Sequence, residues 1–476
     1  MIEQYTPVEA AVETTRRTFL TQHVGNVGLL ALAALLNESQ EVIAAEPSRS
    51  RNPAQPPRAK SVICLFQNGG PSQMDLFDAK PELNRLHGKA YPAGELETHF
   101  DKQKGNVLGS PYKFRRCGQS GMELCELLPY TAQIADDITL IRSMTTGSVD
   151  HEAALRMIHS GRLFAGMPSW GSWVSYALGS ENQDLPAYVV LSDPGGLPID
   201  GEKNWSSGWL PAVYQGTVFR SGNSPVLNLQ SPAGVSAAAR QNQLRYLERL
   251  NRSQANRYPE NTELTARISN FETAARMQTA VPHLLDLSDE TAETRRLYGM
   301  DNPDSAEYGA RCLTARKLVE QDVRFVGVYL NGQPWDTHSK NAESLKGLCA
   351  RTDQPSAALV KDLQQRGLLD STIVLWTGEF GRLPISQGAD GRDHNRHAFS
   401  LWIAGGGFQK GIAYGATDTF GYQAVENVVR VHDLHATLLE ALGLDHTKLT
   451  APYDGRETSL TDAEVTDARV ISDLFA

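Results

Sequence analysis

Apolar runs of strand length punctuate the chain, and helical patterns fill the intervals between them. Residues 61–66 (Ser-Val-Ile-Cys-Leu-Phe) form an almost unbroken apolar run that stops at Gln67-Asn68-Gly69-Gly70-Pro71-Ser72. A run without a polar face suits a central strand of a parallel sheet, and its carboxyl end feeds the kind of loop where ligands sit. Comparable runs occupy residues 138–141, 187–191, 324–330, 372–376 and 399–404. Helical spacing is read over 153–159, 170–178, 306–320, 356–366 and 433–442. This alternation predicts an α/β fold: a mostly parallel central sheet with helices on both faces.

Two regions break the rhythm. Residues 193–230 are rich in Gly, Pro, Asn and Ser and carry Trp205 and Trp209, the signature of a long surface excursion. Residues 235–300 are polar and helical. Together, residues 193–300 read as an insertion or cap on a single domain spanning 61–476, and no internal repeat is present.

The first 45 residues have a different character. Thr14-Thr15-Arg16-Arg17-Thr18-Phe19-Leu20 precedes a mild apolar run over 24–36 and small residues at Ala44 and Ala45. That order is expected of a twin-arginine signal peptide, and hence of export to the periplasm or beyond. The run is too short to span a bilayer, which needs about 20 apolar residues. Residues 46–60, Pro-rich and basic, read as a linker.

With 476 residues, 41% hydrophobic and 21% charged, the chain can bury a large core. Its net charge of −10 and the lack of a dense Lys/Arg stretch argue against a nucleic-acid partner. An anionic substrate remains compatible, because metal ions or a few arginines can make one site locally positive. The five cysteines have no metal-ligand spacing; Cys117 and Cys125 are the pair that an oxidising compartment would allow to bridge.

The chemistry-bearing residues gather beside strand candidates. Asn331-Gly332-Gln333-Pro334-Trp335-Asp336-Thr337-His338 follows one strand, and Gly378-Glu379-Phe380-Gly381-Arg382 follows another. Gly391-Arg392-Asp393-His394-Asn395-Arg396-His397 precedes a third. Carboxylate oxygen together with imidazole nitrogen suits zinc, manganese or a similar divalent ion better than calcium alone. Paired ions would activate water and stabilise a leaving oxygen in ester hydrolysis. Singly, each cluster is as well explained by surface hydrogen bonding or helix capping; His432 and His435, one turn apart, read as capping and packing residues.

These motifs, with Gly69-Gly70-Pro71-Ser72-Gln73-Met74-Asp75 before them, Gly161-Arg162 and Pro168-Ser169-Trp170-Gly171-Ser172-Trp173 between, and His432-Asp433-Leu434-His435-Ala436-Thr437 after, stand in an order that resembles the domain-of-unknown-function 1501 family. The resemblance runs from about residue 61 to the C-terminus. It implies an alkaline-phosphatase- and sulfatase-like fold and a divalent metal (Zn, Mn, Ca or Mg). By that resemblance Asp336 and His338 look like a metal-binding pair, and His394, rather than His397, like the histidine before the last core strand. Glu379 stands where the superfamily has an aspartate, with Phe380 replacing the histidine that usually follows. Gln67 and Asn68 replace the acid expected after the first strand, a duty Asp75 could take over. No Cys/Ser-x-Pro-x-Arg string is present, so a formylglycine nucleophile is not expected. His151 falls near the nucleophile position, with Thr145, Thr146 and Ser148 beside it at a helix start that favours anions.

The expectation that follows is an exported divalent-metal-dependent hydrolase of phosphate or sulfate esters. Asp75, Asp336, His338, Glu379, Asp393 and His394 would supply the metal set. His151 and Arg382 would act in catalysis, and Arg392 and Ser148 would bind substrate. The competing expectation is a non-catalytic exported binding protein, for instance for a sulfated polysaccharide, with a degenerate site.

Overall fold

Strand β1 (Ser61–Phe66) is completely buried and alternates strictly between two hydrophobic layers. Ile63 and Leu65 enter one layer and Val62, Cys64 and Phe66 the other, the period-2 pattern of a strand covered on both faces. The computed structural model describes residues 56–100, 102, 104–220, 236–258 and 262–476. The expected signal peptide, most of the expected linker and residues 221–230 therefore lie outside the described residues.

The central sheet adds β2 (Ile138–Thr145), β3 (Tyr188–Leu191), β4 (Thr217–Phe219), β5 (Phe325–Tyr329), β6 (Thr372–Thr377), β7 (Phe399–Ala404), β8 (Ile412–Tyr414) and β9 (Val429–Arg430). Their order is β8-β2-β7-β6-β1-β5-β3-β4, with β9 also paired to β2. β1 lies between β5 and β6, parallel to both. β7 is antiparallel to β6 and to β2, while every other pairing in the sheet is parallel. The reversal of β7 puts its amino end on the edge that carries the carboxyl ends of β1, β2, β5 and β6.

Helices cover both faces. α1 (His151–Ser160), α2 (Trp170–Leu178) and α7 (Val431–Ala441) place Leu155, Trp173 and Leu438 in one layer. α5 (Ala306–Glu320) and α6 (Asn341–Gln365) place Leu313, Leu359 and Leu363 in the other. The sequence pattern expects only the second half of α6, because Pro355 removes a ladder hydrogen bond and reads as a helix boundary. Burial of Leu345 and Cys349 on the same face carries the helix through the proline.

By compactness the described residues fall into two units, 236–258 with 262–272 in the first and 56–220 with 273–476 in the second. The described part of the first unit is helical. α3 (Ala237–Arg257) starts at Ser236, whose hydroxyl accepts from the Ala239 N–H at 3.2 Å, and α4 (Thr262–Leu285) begins there. In the second unit the end of α4 buries Met277, Val281 and Leu284 in the layer of α5 and α6. Among the described residues no helix is long and apolar enough to cross a membrane. All five cysteines are free and buried. Cys117 and Cys125 sit at opposite ends of a hairpin, opposite Met122 and Phe114, so its register holds them apart and they do not bridge.

Candidate metal centre

Three histidines and one aspartate converge where these strand ends meet. Asp336 and His338 lie on the loop after β5, His394 on the short strand before β7, and His151 at the first position of α1, after β2. One ligand atom from each of the four lies within 4.8 Å of the others. Asp336 Oδ1 is 2.9 Å from His338 Nε2 and 3.1 Å from His394 Nε2, and Asp336 Oδ2 is 3.4 Å from His151 Nε2. The two remaining imidazoles, His338 and His394, face one another with Nε2 atoms 2.9 Å apart.

The Nδ1 atoms explain why the Nε2 atoms point inward. Each Nδ1 meets an oxygen acceptor: Glu379 Oε1 for His151 at 2.7 Å, Val149 O for His394 at 2.6 Å, and Gln387 Oε1 for His338. An Nδ1–H donating outward leaves the Nε2 lone pair directed into the group, the tautomer a metal-ligating histidine needs. His151 Nε2 is buried without a hydrogen-bond partner, and the residue is 7% exposed. The set therefore fits a divalent ion held by N and O donors.

The electrostatics are those of a small desolvated cluster. Burial alone would raise the Asp336 carboxyl, but the facing imidazoles of His151, His338 and His394 and the charge of Arg382 hold it well below the usual carboxylate range. His394 is pulled down to about 3, chiefly by burial, with Arg382 and His151 adding repulsion. Burial also disfavours the charged form of His151, yet the carboxylates of Asp336 and Glu379 more than offset it and raise it to about 9; an ion held at Nε2 would take the place of that proton.

Glu379 is fully buried one step behind His151. The Gly69 N–H donates to its two carboxylate oxygens at 2.8 and 3.1 Å. Gly69 itself adopts φ +114°, and a Cβ there would stand 2.5 Å from the Asp336 backbone nitrogen. Only glycine lets the loop after β1 close onto residues 335–336. Phe380 packs against His151 and His394 with ring centroids 4.8 and 4.6 Å apart.

The other residues singled out in the sequence are held elsewhere. Asp75 does not reach the group: its carboxylate accepts from Arg392 at 2.7 and 3.1 Å, from Ser72 Oγ at 2.6 Å and from Asn341 at 3.0 Å. Arg392 is fully buried by that pair and by the carbonyls of Leu383 and Leu108. Arg382, also without exposed surface, donates to Asp336 Oδ1 at 2.7 Å and to the carbonyls of Gly69, Gly70, Trp335 and Arg392. Both guanidiniums are fully buried and engaged within the protein. Asp393 accepts from the backbone N–H groups of His99, Phe100 and His394 rather than joining the ligand cluster. Ser148 Oγ accepts from the Asp150 N–H at 3.0 Å, and Asp150 caps α1. Gln67 and Asn68 bind Trp335 Nε1 and the Leu330 carbonyl, at 3.0 and 2.9 Å, tying β1 to β5.

His432 and His435 approach the Gly161 and Ile158 carbonyls at 2.8 and 2.9 Å, bracing the far end of α1. His99 stacks on His394 at 5.0 Å, and Phe100 stands edge-on to His338 at 5.2 Å. No pattern in the sequence marks His99, Phe100 or Gln387, since each reaches the group through tertiary contact alone.

A family model described as "Protein of unknown function (DUF1501)" matches residues 59–475. No curated protein matches the chain. Among solved structures, a sulfatase, PsFucS1, from Pseudoalteromonas sp. is 10% identical over 85% of this chain and 74% of its own, with a TM-score of 0.36. A protein in the alkaline phosphatase superfamily from Vibrio parahaemolyticus is 11% identical over 88% and 76%, with a TM-score of 0.34. A phosphonate monoester hydrolase from Silicibacter pomeroyi is 11% identical over 87% and 78%, with a TM-score of 0.31.

Proposed function

The chain belongs to the DUF1501 family, and from that premise we propose that it is an exported hydrolase of phosphate or sulfate esters that works with one divalent ion. The observation that carries this reading is the convergence of three Nε2 atoms and one carboxylate, each imidazole turned inward by an acceptor on its Nδ1. His151, His338, His394 and Asp336 would hold the ion. Bound there, it supplies Lewis-acid polarisation of an ester oxygen and neutralises charge on the transferred group.

The chain's own residues then have separable tasks. Glu379, Gln387 and the Val149 carbonyl orient the imidazoles. Arg382 shares the charge of Asp336 and fixes its carboxylate. Asp75 and Arg392 hold the loop after β1 against residues 383 and 108. His151, caged between Glu379 and Asp336, is read as a ligand in preference to a nucleophile. His151→Ala should therefore lower metal content together with turnover; loss of turnover with metal content intact would reinstate it as a nucleophile.

One observation favours the second reading, a binding protein without turnover. Both arginines beside the site are buried and engaged, so the ion would be left to neutralise an anionic group without their help. The deciding experiment is metal analysis of the purified protein followed by a panel of activated phosphate and sulfate esters. Full metal occupancy with hydrolysis inhibited by a chelator supports the hydrolase. Full occupancy with no turnover across the panel leaves the binding protein.

A further inference from the structure

Phe100 stands on the open side of the His/Asp group. His338 is the most exposed of the four ligands, at 27% of its side chain against 11% for Asp336, 8% for His151 and 3% for His394. The Phe100 ring lies 5.2 Å from His338, nearly perpendicular to it, and 6.5 Å from His394. It is nevertheless 41% exposed. A ligand reaching the group past His338 therefore meets this ring.

Burial in a core does not account for that position. The backbone of Phe100 is fixed by a polar device: the N–H groups of His99 and Phe100 donate to Asp393 Oδ2 at 2.8 and 2.9 Å, and Asp393 Oδ1 accepts from the His394 N–H. His99 stacks on His394 from the same segment. One buried carboxylate thus holds a metal-type ligand and an exposed aromatic ring in fixed relation, so little rotational freedom is lost when something packs on the ring. On the same segment Glu97 accepts from Arg396 and contacts His397, at 2.9 and 2.7 Å.

We infer that Phe100 is a stacking platform for a ring on the alcohol portion of the ester, a pyranose or an aryl group; this rests on the ester-hydrolase reading above. Both ring types present a flat apolar face whose burial against a fixed aromatic removes water from both surfaces. A methyl ester carries the same anionic group and no such face.

The test compares phenyl, glucose-6 and methyl esters of phosphate and of sulfate as ligands of the full-length protein supplied with zinc or manganese. Binding is measured by calorimetry on wild type, Phe100→Ala and Phe100→Trp, with metal content determined for each. The expected result is a loss of about fivefold to tenfold in affinity for the ring-bearing esters in Phe100→Ala. Methyl ester binding and metal content should stay unchanged, and Phe100→Trp should retain ring binding. Loss confined to phenyl esters assigns an aryl group, loss confined to glucose esters a pyranose, and loss of both a ring of either kind. Equal weakening of all three esters, or of none, overturns the inference, as does wild type binding none of them. Binding without turnover would remove the hydrolase reading and leave Phe100 as the platform of a binding site.

Discussion

The Nε2 atoms of His338 and His394 face each other at 2.9 Å while their Nδ1 atoms are engaged with Gln387 and the Val149 carbonyl. Two inward lone pairs at that separation repel unless a cation lies between them and Asp336. The protein should therefore bind one zinc or manganese ion per chain, read by elemental analysis. His394→Ala should remove it. Glu379→Gln should keep the one-to-one stoichiometry but weaken affinity about 10- to 100-fold, because Glu379 acts through His151. Complete loss of the ion in that variant would make Glu379 a direct ligand instead.

Asp336 also counters a buried cation. Arg382 has no exposed surface and its ion pair with Asp336 is 2.7 Å long. Asp336→Ala leaves that guanidinium without its carboxylate counter-charge and should destabilise the fold by about 3–5 kcal/mol in chemical denaturation of the metal-free protein. A change within about 0.5 kcal/mol, the range of an ordinary surface substitution, would contradict the pairing.

Gly69→Ala tests the close approach of β1 to the ligand loop. A Cβ there meets the backbone of residues 335 and 336 at 2.5–2.7 Å, and its φ of +114° is strained for any L-residue. Stability should fall by about 2 kcal/mol or more, and metal affinity should fall with it because Asp336 must shift. Unchanged thermal midpoint and metal affinity together would refute this account.

Acid should act through the far end of α1. Burial holds His159 and His435 neutral, each down to about 3. Between pH 6.5, the ordinary value for an unfolded histidine, and pH 3, the unfolded chain binds more protons. Stability therefore falls as pH falls, by about 1.4 kcal/mol per unit for each histidine. His159→Phe, set between Phe66 and Tyr329, should reduce the steepness of that decline between pH 6 and pH 4. An identical pH profile in the variant would exclude His159 as a source.

The proposed export is based on the Arg16-Arg17 leader. Replacing both arginines by lysine should leave folded precursor inside the cell, as fractionation would reveal. Normal export of the double variant would discard the twin-arginine route.

The linear order of residues determined much of this protein. The run at 61–66 and the run at 399–404 are strands with those bounds, and the helices at 170–178 and 306–320 likewise. Continuous apolar runs can only be buried on both faces, so the α/β sheet and the placing of acids and histidines beside strand ends were readable from local pattern. Side-chain type also brought Asp336, His338 and His394 forward as chemistry, and the family resemblance added His151. Direction was not readable: an apolar run looks the same whether its neighbours run with it or against it, because hydrogen-bond partners lie tens to hundreds of residues away. Only the tertiary structure turned β7 around, and that reversal brings His394, which precedes its strand, to the edge where Asp336, which follows its own, already stands. The same holds for partner choice. Asp75 and Glu379 look alike as ligands in the sequence, yet packing set Arg392 against the first and His151 against the second, because a buried carboxylate is stable only beside the donors that surround it.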